Sequence, residues 1–195
     1  MRTGSEAAER LGQLAVRALL REVAASPKPG LVDRFGSGSH EDMDFMTFAD
    51  SALTLGPTFA ACAREGLDRG RAMPSWANVA DATEYKTDDL TVRANDAAFL
   101  AVLRCIGMEG EARMFAASGG INTHKGALFL LGLQVAAAGA LMGAGQVATA
   151  DRTRQLAARL ARDMAIRELP RQAHTEQMPS VSTARAVSGG RSNRA

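Results

Sequence analysis

Two short stretches hold the polar residues hardest to explain as plain surface or core. The first is Lys28-Pro-Gly-Leu-Val-Asp33-Arg34, followed by Gly38-Ser39-His40-Glu41-Asp42-Met43-Asp44. Residues 40–44 pack four ionisable groups into five positions. Acidic residues in a first helical turn favour the helix dipole, and capping accounts for part of this pattern. So dense a cluster also suits a hard cation. Mg²⁺ takes oxygen ligands and bridges to substrate phosphates through one or two carboxylates. Zinc fits less well, because no cysteine or second histidine lies at ligand spacing.

The second stretch is Gly119-Gly120-Ile121-Asn122-Thr123-His124-Lys125-Gly126. Paired glycines allow a backbone to approach a ligand closely. Asn122 or Thr123 can cap the helix that follows. Its N-terminus then offers free N–H groups and a partial positive charge, to which Lys125 adds a full one. That is phosphate chemistry, although the spacing is not that of a P-loop. A well-capped loop with an exposed lysine would show the same residues.

The elements that must position these stretches read as helices. The first spans 5–25, with Leu11, Leu14, Ala18 and Val23 near one face, and Ser26-Pro27-Lys28-Pro29-Gly30 ends it. A second starts near Asp42 or Asp44 and runs through Phe45, Phe48, Ala52, Leu55, Phe59 and Cys62, at alternating three- and four-residue steps. Residues 66–95 are polar and aperiodic, with Trp76 and Tyr85 as lone aromatics, and read as a surface loop. Further helices are expected at 96–117 with a break at Gly107, at 123–141, and at 148–169 before Pro170. With no alternation of strands and helices, the expected fold is an all-α helical bundle.

Composition narrows the function. The 195 residues are 46% hydrophobic and only 5% aromatic, with 19 glycines, which favours helices over a β-sandwich. The formal net charge is +2, and residues 1–172 carry 20 basic and 20 acidic side chains. A nucleic-acid binder with a broad basic face is thereby disfavoured. Cys62 and Cys105 stand in apolar surroundings, form no disulfide framework, and fit a reducing cytoplasm. The first twenty residues carry Glu6, Glu9 and Arg10 where a secretory leader needs an apolar run. Between Lys125 and Asp151 no side chain is charged, a length that could span a bilayer. Gln134, Gln146 and the glycines at 132, 139, 143 and 145 favour instead a helix buried in the bundle, closely packed on another.

Together, KPGLVDRFGSGSHEDMDFMTFADSA and EARMFAASGGINTHKGALFLLGL resemble the triphosphoribosyl-dephospho-CoA synthases, which act in assembling the prosthetic group of citrate lyase and malonate decarboxylase. The resemblance runs from about Leu19 to Leu141. It implies an all-α enzyme that takes ATP and 3′-dephospho-CoA. The 2′-hydroxyl of dephospho-CoA is joined to C1 of the ATP ribose, and adenine is released with the triphosphate intact. On that reading His40, Asp42, Asp44 and His124 are the catalytic candidates, and Glu41, Asp42 and Asp44 the Mg²⁺ ligands. Lys28, Gly30, Asp33, Gly119, Gly120, Asn122, Thr123 and Lys125 are the candidates for holding substrate and phosphate. Displacing adenine builds oxocarbenium-like charge that carboxylates stabilise, and the attacking hydroxyl needs an Asp or His as base. Glu109, Glu111 and Arg113 rank second, since Glu109 and Arg113 are spaced for a surface ion pair. Other expectations are an inactive remnant that at most binds nucleotide, and a different all-α nucleotide or ADP-ribose enzyme.

After Pro170 the pattern changes. RQAHTEQMPSVSTARAVSGGRSNRA has no Leu, Ile or Phe, and segment 173–195 is expected to be a disordered tail. Shifted by one frame near residue 172, its codons permit Thr-His-Gly and later Tyr-Gly, elements of the family in the family's order. A frameshift is therefore expected there. His174 is then no catalytic candidate, and residues 1–172 form the N-terminal part of an incomplete bundle.

Overall fold

Residues 4–78 and 90–168 are described by a computed structural model, and among them there are six helices and no strand. α1 is Gly4–Ala24, α2 Phe45–Thr54, α3 Gly56–Ala72, α4 Leu90–Ala117, α5 Lys125–Gly143 and α6 Ala150–Glu168. The all-α expectation holds. The segment 173–195 lies outside the described residues, as do Tyr85 and His174.

Four expectations about the elements change. The stripe from Phe45 to Cys62 is two helices, because Pro57 opens α3 and has no N–H to continue α2. Ala52, Leu55, Phe59 and Cys62 are nonetheless all buried. Within 66–95 the described residues before 79 are not a surface loop: α3 continues to Ala72, and Trp76 and Ala77 are buried beyond it, while residues 79–89 lie outside the described residues. α4 begins at Leu90 and passes through Gly107 unbroken, since one glycine lowers helix propensity without removing a hydrogen bond. In α1 the buried residues are Ala8, Gly12, Ala15, Leu19 and Val23, while Leu14 is half exposed. Small residues won that face because α3 comes so close: a Cβ on Gly12 would sit 2.9 Å from the Ala60 nitrogen.

α3 and α5 form the centre of the bundle and run parallel. A Cβ on Gly66 or Gly70 would collide with the carbonyl oxygens of Ala136 or Ala140. One on Gly139 or Gly143 would collide with those of Ala63 or Leu67. Glycine is required because only hydrogen fits between the two backbones, as in tightly packed small-residue seams. α5 is long and apolar enough to cross a membrane, yet ten of its residues, from Leu128 to Leu141, are buried inside the bundle. Cys62 is buried as expected, and burial pushes its thiol up to about 12. Cys105, by contrast, is exposed.

Candidate active site around His124

The two polar stretches meet at α2. Asp44 is its N-cap: Oδ1 accepts from the Thr47 amide at 2.8 Å and from the Thr47 hydroxyl at 2.8 Å. These bonds hold the carboxyl below its usual range. One turn on, the Phe48 ring meets the His124 ring edge-on, with centroids 5.0 Å apart. Ser51 Oγ then lies 3.0 Å from His124 Nδ1 and 2.6 Å from Thr123 Oγ1. Ser51 and His124 are buried, and Thr123 is partly so.

His124 is the unusual member. The residue is 4% exposed, yet Nε2 of its ring has no hydrogen-bond partner. A buried polar atom without a partner costs about 1–3 kcal/mol, so it points to a task or a ligand. Burial lowers the imidazole pKa, while the nearby Glu22 carboxylate pulls the other way. Glu22 also ties in the first stretch: Lys28 Nζ donates to its Oε1 at 2.9 Å and to its carbonyl at 3.1 Å. Lys28 is thus seated on the end of α1.

The loop between α1 and α2 is built around Asp33. Its Oδ2 accepts from the Ser26 hydroxyl at 2.6 Å, and its Oδ1 from the amides of Phe35 and Gly36 at 2.8 and 3.1 Å. These bonds, the Ser26 one foremost, lower its pKa. The carboxylate is therefore occupied in shaping the loop rather than open to a ligand. Gly30 and Gly38 have φ of 76° and 59°, and a Cβ on Gly38 would stand 2.6 Å from the Gly30 and Leu31 backbone. His40, Glu41 and Asp42 sit on the outer side of this loop, half-buried or exposed. Among the described residues no three His, Cys, Asp or Glu side chains converge on a metal position, so Glu41, Asp42 and Asp44 are not a three-ligand centre. Asp44 is partly taken by its cap.

The glycine pair also has a structural reason. Gly119 has φ 66° just past α4, and the Gly120 amide donates to the Phe115 carbonyl at 2.7 Å. That is a Schellman close of the helix. A Cβ on either glycine meets open space, so dihedral, not close approach, selects glycine here. The amides of Gly120, His124 and Lys125 are spent on Phe115 O, Met114 Sδ and Asn122 Oδ1. What remains for an anion is the first turn of α5, where the Gly126 and Ala127 amides have no intrahelical acceptor. The N-cap of α5 is His124, without a side-chain cap bond, rather than the expected Asn122 or Thr123; Asn122 Oδ1 accepts from the Lys125 amide at 3.2 Å from two residues before it. Lys125 Nζ is 2.7 Å from Glu111 Oε1. Arg113 lies 3.6 Å from Glu109, the expected surface pair.

Lys125 and Glu111 stand at the edge of an open cleft of about 660 Å³. Leu100, Leu103 and Met108 of α4 and Leu128, Phe129 and Leu133 of α5 line it.

The sequence profile of the CitG family, described as ATP:dephospho-CoA triphosphoribosyl transferase, matches residues 8–189. The chain belongs to this family. The CitG match passes residue 172, where the frame was expected to shift. Relatives named probable 2-(5″-triphosphoribosyl)-3′-dephosphocoenzyme-A synthase occur in several bacteria. That of Albidiferax ferrireducens is 42% identical over 142 residues, 73% of this chain and 40% of its own length. That of Lactiplantibacillus plantarum is 44% identical over 124 residues, 64% of this chain and 36% of its own length. That of Streptococcus pyogenes is 41% identical over 132 residues, 68% of this chain and 37% of its own length. The chain thus spans about two fifths of the curated CitG-type relatives it matches. No solved structure matches it.

Reading by residue type found His124, Thr123 and Asp44 but missed Ser51 and Glu22. Ser51 carried one faint signal. It stands three residues after Phe48 and four before Leu55, a polar residue on an apolar stripe. Glu22 carried none, because it sits among the exposed charges of α1.

Proposed function

We propose that this chain carries the ATP-holding and base-supplying part of a triphosphoribosyl transferase. The 2′-hydroxyl of 3′-dephospho-CoA attacks C1 of the ATP ribose. The bond from C1 to adenine breaks, and adenine leaves with the electron pair. The proton lost by the hydroxyl balances the one that adenine takes up. Family membership supports the reaction class. The observation that carries the site reading is His124, buried beside Lys125 with its imidazole pKa lowered and Nε2 without a partner, a group of the kind that can take that proton.

Lys125, Lys28 and the Gly126 and Ala127 amides neutralise the triphosphate, exchanging Glu111 and Glu22 for phosphate. Asp42 and Asp44 would hold a Mg²⁺ ion that bridges to the phosphates. Bound there, the ion supplies charge neutralisation. The cleft beside Lys125 has the apolar lining that the pantetheine arm of dephospho-CoA calls for. On this reading the protein is cytoplasmic, and its product serves citrate lyase or malonate decarboxylase.

The test is to incubate the chain with ATP, Mg²⁺ and 3′-dephospho-CoA, following free adenine by chromatography and the adduct by mass spectrometry. Adenine that appears only with dephospho-CoA, matched by adduct, is the expected result. Adenine without adduct means hydrolysis and a different nucleotide enzyme. ATP binding without adenine reduces the chain to a nucleotide-binding portion of the family's site.

A further inference from the structure

We infer that Ser51 is a positioning residue that, with Thr123, fixes the tautomer of His124 so that Nε2 is the bare nitrogen. Three polar atoms stand in a row: His124 Nδ1, Ser51 Oγ at 3.0 Å, and Thr123 Oγ1 a further 2.6 Å on. Two proton arrangements satisfy this row. In one, Thr123 donates to Ser51, Ser51 donates to Nδ1, and the ring proton sits on Nε2. In the other, Nδ1–H donates to Ser51, Ser51 donates to Thr123, and Nε2 carries only a lone pair.

Burial decides between them. Nε2 has no partner in the interior, and an orphaned buried donor is rarer in proteins than an under-used acceptor. The first arrangement strands an N–H there. The second satisfies every proton, because Thr123 is partly exposed and its hydroxyl can donate to water. Burial also keeps the ring uncharged at neutral pH, against the pull of Glu22, the charged group acting on it. The bare Nε2 is then a ready proton acceptor. Its Nδ1 proton has a path through Ser51 and Thr123 to the surface. Ser51 touches no reacting atom and acts only through His124, as the third member of a nucleophile–base–orienter set does.

The inference rests on His124 being the base proposed above, but its test needs no turnover. In the ¹⁵N-labelled chain at pH 8, two-bond proton–nitrogen correlations report which imidazole nitrogen carries the proton. His124→Gln identifies the resonances. The expected result is a pyrrole-type Nδ1 and a pyridine-type Nε2 for His124. Thr123→Val removes the acceptor of Ser51's proton and should move His124 towards the Nε2–H form. Thr123→Ser, which keeps the oxygen, should restore the original pattern. Ser51→Ala should abolish the Nδ1–H preference. Thr123, at the partly exposed end of the row, gives a readout even where Ser51→Ala does not fold. An Nε2–H tautomer in the unsubstituted chain overturns the inference. So does a pattern that neither Ser51→Ala nor Thr123→Val alters. Missing turnover with the expected tautomer counts against the reaction and leaves the relay standing.

Discussion

At the scale of single residues, His124 couples the site to pH. Its folded pKa lies below the ordinary value of 6.5 because burial penalises the charged ring. Above pH 6.5 neither the folded nor the unfolded chain protonates it, and its contribution to stability is fully present. Below that, the unfolded chain binds a proton that the folded chain still refuses, so stability falls with pH until the folded pKa is passed. Urea melts at pH 7.5 and 5.5 should show a lower midpoint at 5.5, and His124→Gln should lessen that difference. An equal pH effect in both proteins would mean that other groups cause it. Gly119 makes a different point. A residue with Cβ meets nothing there, but φ of 66° costs about 1–2 kcal/mol for any residue other than glycine. Gly119→Ala should therefore destabilise by about that amount, whereas Gly126→Ala, also in open space and at ordinary φ, should leave the melt unchanged or raised. Only the second half of this contrast could be guessed from sequence, because a glycine pair reads alike whether a ligand or a dihedral demands it.

Among the elements, the seam between α3 and α5 separates what sequence showed from what it hid. The glycines of α5 stood out, since Gly132, Gly139 and Gly143 interrupt an uncharged run and allow close packing. Their partners did not. Gly66 and Gly70 sit among Arg64, Glu65, Asp68, Arg69 and Arg71, which makes this stretch read as polar loop. Helical period was masked because its buried face is made of Ala63, Gly66, Leu67 and Gly70, mostly residues too small to register as apolar. The seam has a sharp consequence. Gly70→Ala or Gly139→Ala drives a methyl into a carbonyl oxygen of the facing helix, and overpacking of this kind costs about 1–3 kcal/mol or more. Gly107→Ala places its methyl in open space in the middle of α4 and should stabilise by about 0.5–1 kcal/mol. Thermal melts of the three variants should order Gly107→Ala above the parent chain and both seam variants below it. Equal losses at all three positions would deny the backbone contact.

For the whole molecule, the unit that closes the bundle is a buried polar knot rather than the apolar core. Trp76 Nε1 donates to Asp96 Oδ1 at 2.6 Å, and Arg159 Nη2 reaches the same oxygen at 3.2 Å. Arg159 Nη1 donates to the Trp76 carbonyl at 2.9 Å, and its guanidinium lies over the indole ring. The knot joins the turn after α3 to α4 and α6, three parts far apart in sequence. None of it was legible beforehand. Trp76 read as an exposed aromatic, and Asp96 and Arg159 are ordinary charges on helices whose partners lie 20 and 63 residues away. Side chains at Asp96 and Arg159 are only 5% and 11% exposed, so removing one charge takes a close opposite charge from the other where water screens little. Breaking a buried pair this way costs about 3–5 kcal/mol, several times a surface pair. Asp96→Ala should therefore lower the melting midpoint far more than Glu109→Ala, which removes only the exposed pair with Arg113. Asp96→Asn keeps the acceptor for Trp76 but not the charge, and should fall between the two. A double replacement, Asp96→Leu with Arg159→Met, should regain part of the loss, because neither charge is then buried without the other. If the double variant melts no higher than Asp96→Ala, the knot holds the bundle by geometry and not by matching charge.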